Sequence, residues 1–358
     1  MKKMKNKKAV KSLIALTCAA AIAVTPLLTS VQFASAATAT SYKIIKQAIE
    51  VQGVRSNIAA INTNNTTYIA VRSLNDSIGL KTNWDEKTGN VTVTGHGHVL
   101  VLNLKNSDVV LDGQRIYGPT PIVQRNTSYV PIRFLLERMG YGVSYDTASK
   151  RIGIEAIKEN ELKLSTVAIK EEKAKKKSLF VNYPQLSGFA NAAVQDKVNA
   201  LLKSEAELHA QAGRESLDEA LGDGTYVPEE PLEFLGNYTV TYNENNKLGL
   251  YVDYYSYTGG AHGMTVRVPY TFNLATGDLL SLKQAAGGNA KYVSIINSKI
   301  QSQIKARGIT LLNPFKTIEP DRDYFLKHNG IVVYFGQYEY TPYSEGMPEF
   351  EIPFSSFK

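Results

Sequence analysis

The chain has one cysteine in 358 residues, Cys18, and it falls in a segment that reads as a leader. Beyond that segment there is no thiol, which excludes disulfides, thiol catalysis and thiolate metal sites and leaves the fold to be held by its core alone. A surplus of charge is missing too. The 40 basic and 33 acidic residues give +7, but six of the lysines belong to the leader, leaving 34 against 33. Nothing global therefore calls for a polyanion such as nucleic acid, whose phosphates need a clustered basic surface. The Gly-x-Ser-x-Gly arrangement of a nucleophile elbow is also absent.

The leader is residues 1–36. MKKMKNKKAVK is basic, SLIALTCAAAIAVTPLLT is apolar but interrupted by Pro26, and Ala34-Ser35-Ala36 is a small-residue cleavage site. Together they describe a secretory signal peptide, with the mature chain starting near Ala37. The expected location is secreted, extracellular or cell-wall associated, with no membrane contact after cleavage. The remaining length is enough for two or more domains.

An internal duplication occupies 37–156. NTTYIAVRSLNDSIGLKTNWDEKTGNVTVT, from Asn65, aligns without a gap with NTSYVPIRFLLERMGYGVSYDTASKRIGIE, from Asn126. The alignment pairs Tyr68 with Tyr129, Arg72 with Arg133, Leu74 with Leu135, Gly79 with Gly140 and Trp84 with Tyr145. Each copy reads as a strand, a turn, a short amphipathic helix closed by glycine, and a hairpin. The motif Tyr-x-Pro-Ile-Arg-x-Leu followed by Gly-x-x-Val-x-Tyr-Asp resembles the copper amine oxidase N-terminal-like domain of secreted Gram-positive proteins. That resemblance implies a stalk or surface-anchoring module, not an oxidase, since no domain with the quinone and copper machinery follows. His96 and His98, two apart in GHGHV, would share one face of a strand and form a weak metal pair. Two nitrogens are too few for a firm site, so neither metal nor cofactor is expected.

Residues 157–178 are dominated by interleaved charge and read as a linker or a first strand. Next comes an amphipathic helix carrying Phe189, Val194, Val198, Leu202 and Leu208, with His209 near its end, where it would meet the helix dipole. GRESLDEALGDGTYVPEEPLE then reads as a loop or insertion. Strands follow around Asn245-Asn246, and a helix closed by Gly308 precedes two more strands. The fold class expected is α+β: a duplicated small β-sheet and helix module, then a mixed domain of antiparallel sheet with packed helices.

Thirteen of the 21 tyrosines lie between Tyr238 and Tyr343. Because a buried phenol must find a partner for its hydroxyl, rows of tyrosine favour a contact face over a core, with an open sheet capped by solvated phenols as the plain structural alternative. In the strand before YSYTGGAHG, period two places Leu248, Leu250, Val252 and Tyr254 on one side, and Tyr251, Asp253, Tyr255 and Tyr257 on the other. Three segments, YPQLSG with its helix, YSYTGGAHG with TFNLATGDLLSL, and YFGQYEYTPYSEGMPEFEIPFSSF, are similar to the paired extracellular domains of the lysozyme-sensing anti-sigma-V family and of a peptidoglycan deacetylase. The likeness spans 164–358, in two parts of about 164–255 and 256–358. It implies a non-catalytic ligand-binding or sensing module of the envelope, whose partner is a cell-wall glycan or an extracellular protein such as lysozyme. Transmembrane signalling and deacetylation do not carry over, because their segments have no counterpart in the chain.

The ligand-binding residues expected are Asp253, Tyr255, Tyr257, Gly259, Gly260, His262, Tyr340 and Tyr343. Two rivals stand beside this reading. One is a cell-wall hydrolase using His262 with an acid such as Asp253, Glu339, Glu345 or Glu349. The other is a spacer in which Gly259, Gly260 and Gly263, all at positive φ, make a tight bend held by His262.

Overall fold

The computed structural model describes residues 41–64, 66–173, 176–222 and 228–358, and the expected leader lies outside them. The duplication governs the first part. β1 (Ile44–Val51), β2 (Val54–Thr63), β3 (Thr66–Ala70), α1 (Ser73–Ile78), β4 (Lys81–Asp85) and β5 (Asn90–Gly95) come first. They are followed by β6 (His98–Asn103), β7 (Val109–Leu111), β8 (Gln114–Ile116), β9 (Ile122–Gln124), β10 (Thr127–Pro131), α2 (Ile132–Arg138), β11 (Tyr141–Asp146) and β12 (Arg151–Ala156).

The two copies are interlocked. The repeated strands β3 and β10 pair with each other, Tyr129 opposite Ala70 and Pro131 opposite Tyr68. The second hairpin, β11–β12, joins the first copy by parallel pairing of β12 with β1. The first hairpin, β4–β5, pairs instead with β6 in a separate five-stranded sheet. Matching turns confirm the register: Gln52-Gly53 has φ 49° and 84°, and Asp112-Gly113 has 49° and 83°. Such paired positive φ values are those of the two-residue hairpin turn. The copies differ where Pro119 and Pro121 stand. The continuous β2 of the first copy becomes β8 and β9 in the second, because proline cannot donate to a ladder. The core between the sheets is aliphatic, with Leu74, Leu135 and Leu136 fully buried beneath α1 and α2.

Beyond it a six-stranded sheet runs in order β13 (Lys163–Lys173), β14 (Lys177–Ser187), β15 (Leu232–Glu244), β16 (Lys247–Tyr257), β17 (Met264–Asn273), β18 (Asp278–Leu279). The charged segment is thus largely an edge strand. The sheet crosses residue 255 without a break, so the division expected there cuts through paired strands. Last come α4 (Leu282–Ala285), α5 (Tyr292–Arg307) and a three-stranded sheet of β19 (Tyr324–Lys327), β20 (Gly330–Tyr334) and β21 (Glu349–Pro353). The whole is α+β, as expected. Among the described residues no helix is long and apolar enough to cross a membrane.

Two expectations are corrected by the packing. The helix α3 runs from Ala192 to Leu221, through much of the stretch expected to be a loop. Gly213 does not end it; the glycine lies flat on Phe234, whose ring a Cβ would meet at 2.5 Å, and Leu217 is buried one turn on. His209 is accordingly twelve residues from the helix end and buried, stacked on Tyr254 at 4.1 Å. Second, both faces of β16 are interior. Leu250, Val252 and Tyr254 face α3, while Tyr251 lies beneath Phe325, Val332 and Tyr334 of the three-stranded sheet. Eight of the thirteen clustered tyrosines, from Tyr238 to Tyr334, are buried.

Candidate functional site

The tyrosine row emerges only at the end of β16. Asp253, expected on a binding face, is 4 % exposed and grips Arg267, which donates Nε and Nη2 to its two oxygens at 2.7 and 2.9 Å. Arg267 also donates Nη1 to Glu349 at 2.8 Å and lies 3.7 Å over the Tyr251 ring. Desolvation at Asp253 pushes its carboxyl up, against the opposing pull of Arg267. This is a structural ion cluster. Tyr340 is half-buried and packs on Phe335 and Phe315, at 4.5 and 5.5 Å between ring centres.

The remaining expected residues do come together. Tyr255 and Tyr257 end β16, half-exposed, and the chain turns back at Gly259 and Gly260, with φ 100° and 91°, a region that glycine enters freely. The Tyr257 hydroxyl donates to the Gly260 carbonyl at 3.1 Å. Gly263 serves differently from the expected positive φ. It is buried against the Tyr255 ring, which a Cβ would meet at 2.4 Å. Between these anchors His262 stands exposed, stacked on Tyr343 at 4.0 Å with 19° between the planes. Its Nδ1 lies 3.1 Å from the Gly263 carbonyl, which can only accept, so in the neutral ring that nitrogen carries the proton. Nε2 then accepts from the Tyr338 hydroxyl at 3.3 Å. The Tyr343 hydroxyl donates to the same carbonyl at 3.2 Å.

Tyr338 is the residue that sequence reading missed. It is 47 % exposed and held at φ 62°, a left-handed conformation that bulky residues rarely adopt. Its neighbours impose this. Gln337 accepts from the Thr265 amide at 2.7 Å, and Glu339 accepts from the Gly336 amide at 2.8 Å while both its oxygens take Arg322. Tyr117, from the β8–β9 connection, adds a further exposed ring, its hydroxyl 3.5 Å from Thr265 Oγ1. The patch is therefore drawn from three distant segments: 117, 255–263 and 337–343.

The histidine pair behaves otherwise than expected. His96 is in the turn itself, at φ 51°, so the two rings do not follow strand alternation; His96 tilts over Tyr141 at 5.2 Å. His98 has both nitrogens engaged, Nδ1 with Asp112 at 2.7 Å and Nε2 with Glu159 at 3.2 Å. Among the described residues no group of three or more His, Cys, Asp or Glu is arranged to hold a metal. Burial opposes the charge on His98, but the two carboxylates together overcome it and push the ring from near 6.5 up to about 10. The folded ring binds its proton more tightly than the unfolded one. Its contribution to stability is therefore full below pH 6.5, declines above it and is gone beyond about pH 10. Melting curves between pH 7 and 10.5 should show a fall in midpoint that His98→Gln lacks.

Residues 48–154 match the copper amine oxidase N-terminal domain, 169–265 match the model described as deacetylase PdaC, and 284–355 match the protein of unknown function DUF3298. Three family models match in series. The His262 loop falls at the end of the second, and Tyr338 and Tyr343 fall in the third, so the patch draws on both. Over 216 residues the chain is 24 % identical to the anti-sigma-V factor RsiV of Bacillus subtilis, covering 53 % of this chain and 67 % of the relative. Two solved structures are similar over 55 % of this chain and 93 % of their own length. One is a DUF3298 family member from Bacteroides fragilis, 19 % identical with a TM-score of 0.43. The other is from Pseudomonas aeruginosa, 17 % identical with a TM-score of 0.40.

Proposed function

We propose that this chain is a non-catalytic sensing protein of the extracellular cell envelope, which docks a glycan-cutting protein such as lysozyme on the His262, Tyr338 and Tyr343 patch. The similarity to an anti-sigma factor and to the deacetylase PdaC and DUF3298 models supports the extracellular sensing role. The observation that carries the site is the stacked His262–Tyr343 pair, its histidine exposed and held at both ring nitrogens, Nδ1 donating and Nε2 accepting. Rigid aromatic rings give large contact area at small entropic cost and are the commonest anchors of protein interfaces. The rings stand on an open surface built from three segments, which suits a protein face better than a groove for a single sugar strand.

The hydrolase reading loses three of its four acids, leaving only the exposed Glu345. Asp253 and Glu349 are committed to Arg267, and Glu339 to Arg322. Both nitrogens of His262 are occupied within the patch, and Tyr338 is the group its Nε2 meets. A general base needs a nucleophile at that position. Capture assays with immobilised lysozyme and with insoluble peptidoglycan should retain the wild-type chain on lysozyme and lose His262→Ala. Retention on peptidoglycan alone would move the partner to glycan, and release of soluble wall fragments would restore the enzyme.

A further inference from the structure

A cavity of about 620 Å³ lies between the duplicated module and the six-stranded sheet, away from the aromatic patch. One wall comes from β7, β8 and the end of α2, with Asp112, Gln114 and Arg138; the other comes from β13 and β15, with Thr166, Tyr238 and Thr241. Neither part encloses it alone. The proline break after β8 is what leaves that short strand free to lie against the second part, where Gln114 donates its side-chain amide to Thr166 Oγ1 at 2.7 Å.

Three features of the wall point to a ligand. First, hydrogen-bonding capacity is left over. Gln114 Oε1, Arg138 Nε and Thr241 Oγ1 are shielded from solvent and have no hydrogen-bond partner among the described residues. A buried polar atom in this state costs free energy, and such atoms are rare enough to require an explanation. At Gln114 the residue is 7 % exposed and the geometry is fixed. Its Nε2 is committed to Thr166, whose hydroxyl in turn lies 2.8 Å from that of Tyr238, so the oxygen is the unused end. Second, Thr241 is the extra residue of a β-bulge, for Val240 pairs with Leu250 and Tyr242 with Gly249. Bulges in such positions re-aim side chains beside binding sites. Third, the wall carries as many acids as bases: Glu349 pairs with Lys327, Glu244 with His328, and both Asp112 and Glu159 with His98, while Arg138 and Lys163 offset Glu137 and the second carboxylate at His98.

We propose that this cavity binds a neutral polyhydroxyl ligand, a mono- or disaccharide, through Gln114, Arg138 and Thr241. An unused acceptor, an unused donor and an unused hydroxyl are what sugar hydroxyls complement, since each both donates and accepts. Matched wall charges give no net attraction for an ion, and a cavity of this size is in the range that encloses small ligands. The site is separate from the His262 surface and does not depend on what that surface docks.

The test is titration calorimetry of the full chain with three compounds on one ring: N-acetylglucosamine, glucosamine and glucuronate, which are neutral, cationic and anionic, with the β-linked N-acetylglucosamine dimer as the longer neutral probe. The neutral sugars should bind, and each charged one should bind more weakly. Thr241→Val keeps the shape, removes one hydroxyl and should weaken the neutral sugars about tenfold, the equivalent of one hydrogen bond. Gln114→Leu should do the same, and His262→Ala should change nothing here. Absence of binding by both neutral sugars, tighter binding of either charged one, or an unchanged affinity in a folded Thr241→Val would overturn the assignment.

Discussion

Replacing Arg267 by leucine is expected to cost roughly 3–5 kcal/mol of folding stability, enough to leave much of the population unfolded near body temperature. Among the described residues the guanidinium is the one cation paired with Asp253, and both residues are buried, 7 % and 4 % exposed. Leucine leaves Asp253 buried with its charge uncompensated. It also removes the cation from over the Tyr251 ring and one of two cations from Glu349. Breaking a buried pair on one side is far more damaging than replacing both partners with apolar residues of matching shape. The double change Arg267→Leu with Asp253→Leu should therefore recover part of the loss. Chemical denaturation of the three variants checks this, and a single-residue cost below about 1 kcal/mol would show that the cluster is solvated.

The second large effect is one of pH. His209 is 1 % exposed, neither ring nitrogen has a hydrogen-bond partner among the described residues, and desolvation pushes the ring down to about 4. Here the unfolded chain binds the proton more readily, so stability is complete above about pH 6.5 and is lost as pH falls toward 4. A displacement of that size corresponds to about 3 kcal/mol over the interval. Glu205, beside Tyr254 and Tyr270, acts in the opposite sense, because burial pushes its carboxyl up. Comparison with His209→Phe isolates the histidine: the variant keeps the stack on Tyr254, and its stability should fall less between pH 6.5 and 4. Parallel curves for the two proteins would mean that the ring finds a partner or water when the protein is in solution.

How much of this could be read from residue order depends on the range of the interaction. The duplication was legible, since Tyr68 and Tyr129 and, with one residue of slip, the Gln52-Gly53 and Asp112-Gly113 turns carry local patterns that recur. The interlocking of the two hairpins was not, because parallel pairing of β12 with β1 leaves no local mark. The tyrosine row was misread for a related reason. Period two correctly separated Tyr251 and Asp253 from Leu250 and Val252, but periodicity cannot show that a second sheet, more than sixty residues on, covers the polar-looking face. The segment from Gly213 reads as a loop, yet that glycine lies within the helix in close contact with Phe234. Within the site, the Gly-Gly-Ala-His-Gly bend and Tyr343 were legible. Tyr338 was not, because its exposure comes from a backbone held at positive φ by Arg322, Glu339 and Gln337.

Tyr338 and Tyr340, two residues apart, provide the sharpest test of the docking patch: one ring is exposed beside His262, while the other packs on Phe335. The measurement is the affinity of each alanine variant for lysozyme, taken with its melting temperature. The account predicts that Tyr338→Ala keeps the wild-type melting temperature and binds at least about thirtyfold more weakly, as loss of an interface anchor does. Tyr340→Ala should melt earlier and bind normally while folded. Unchanged binding by Tyr338→Ala would contradict the claim that this surface is where the protein meets its partner.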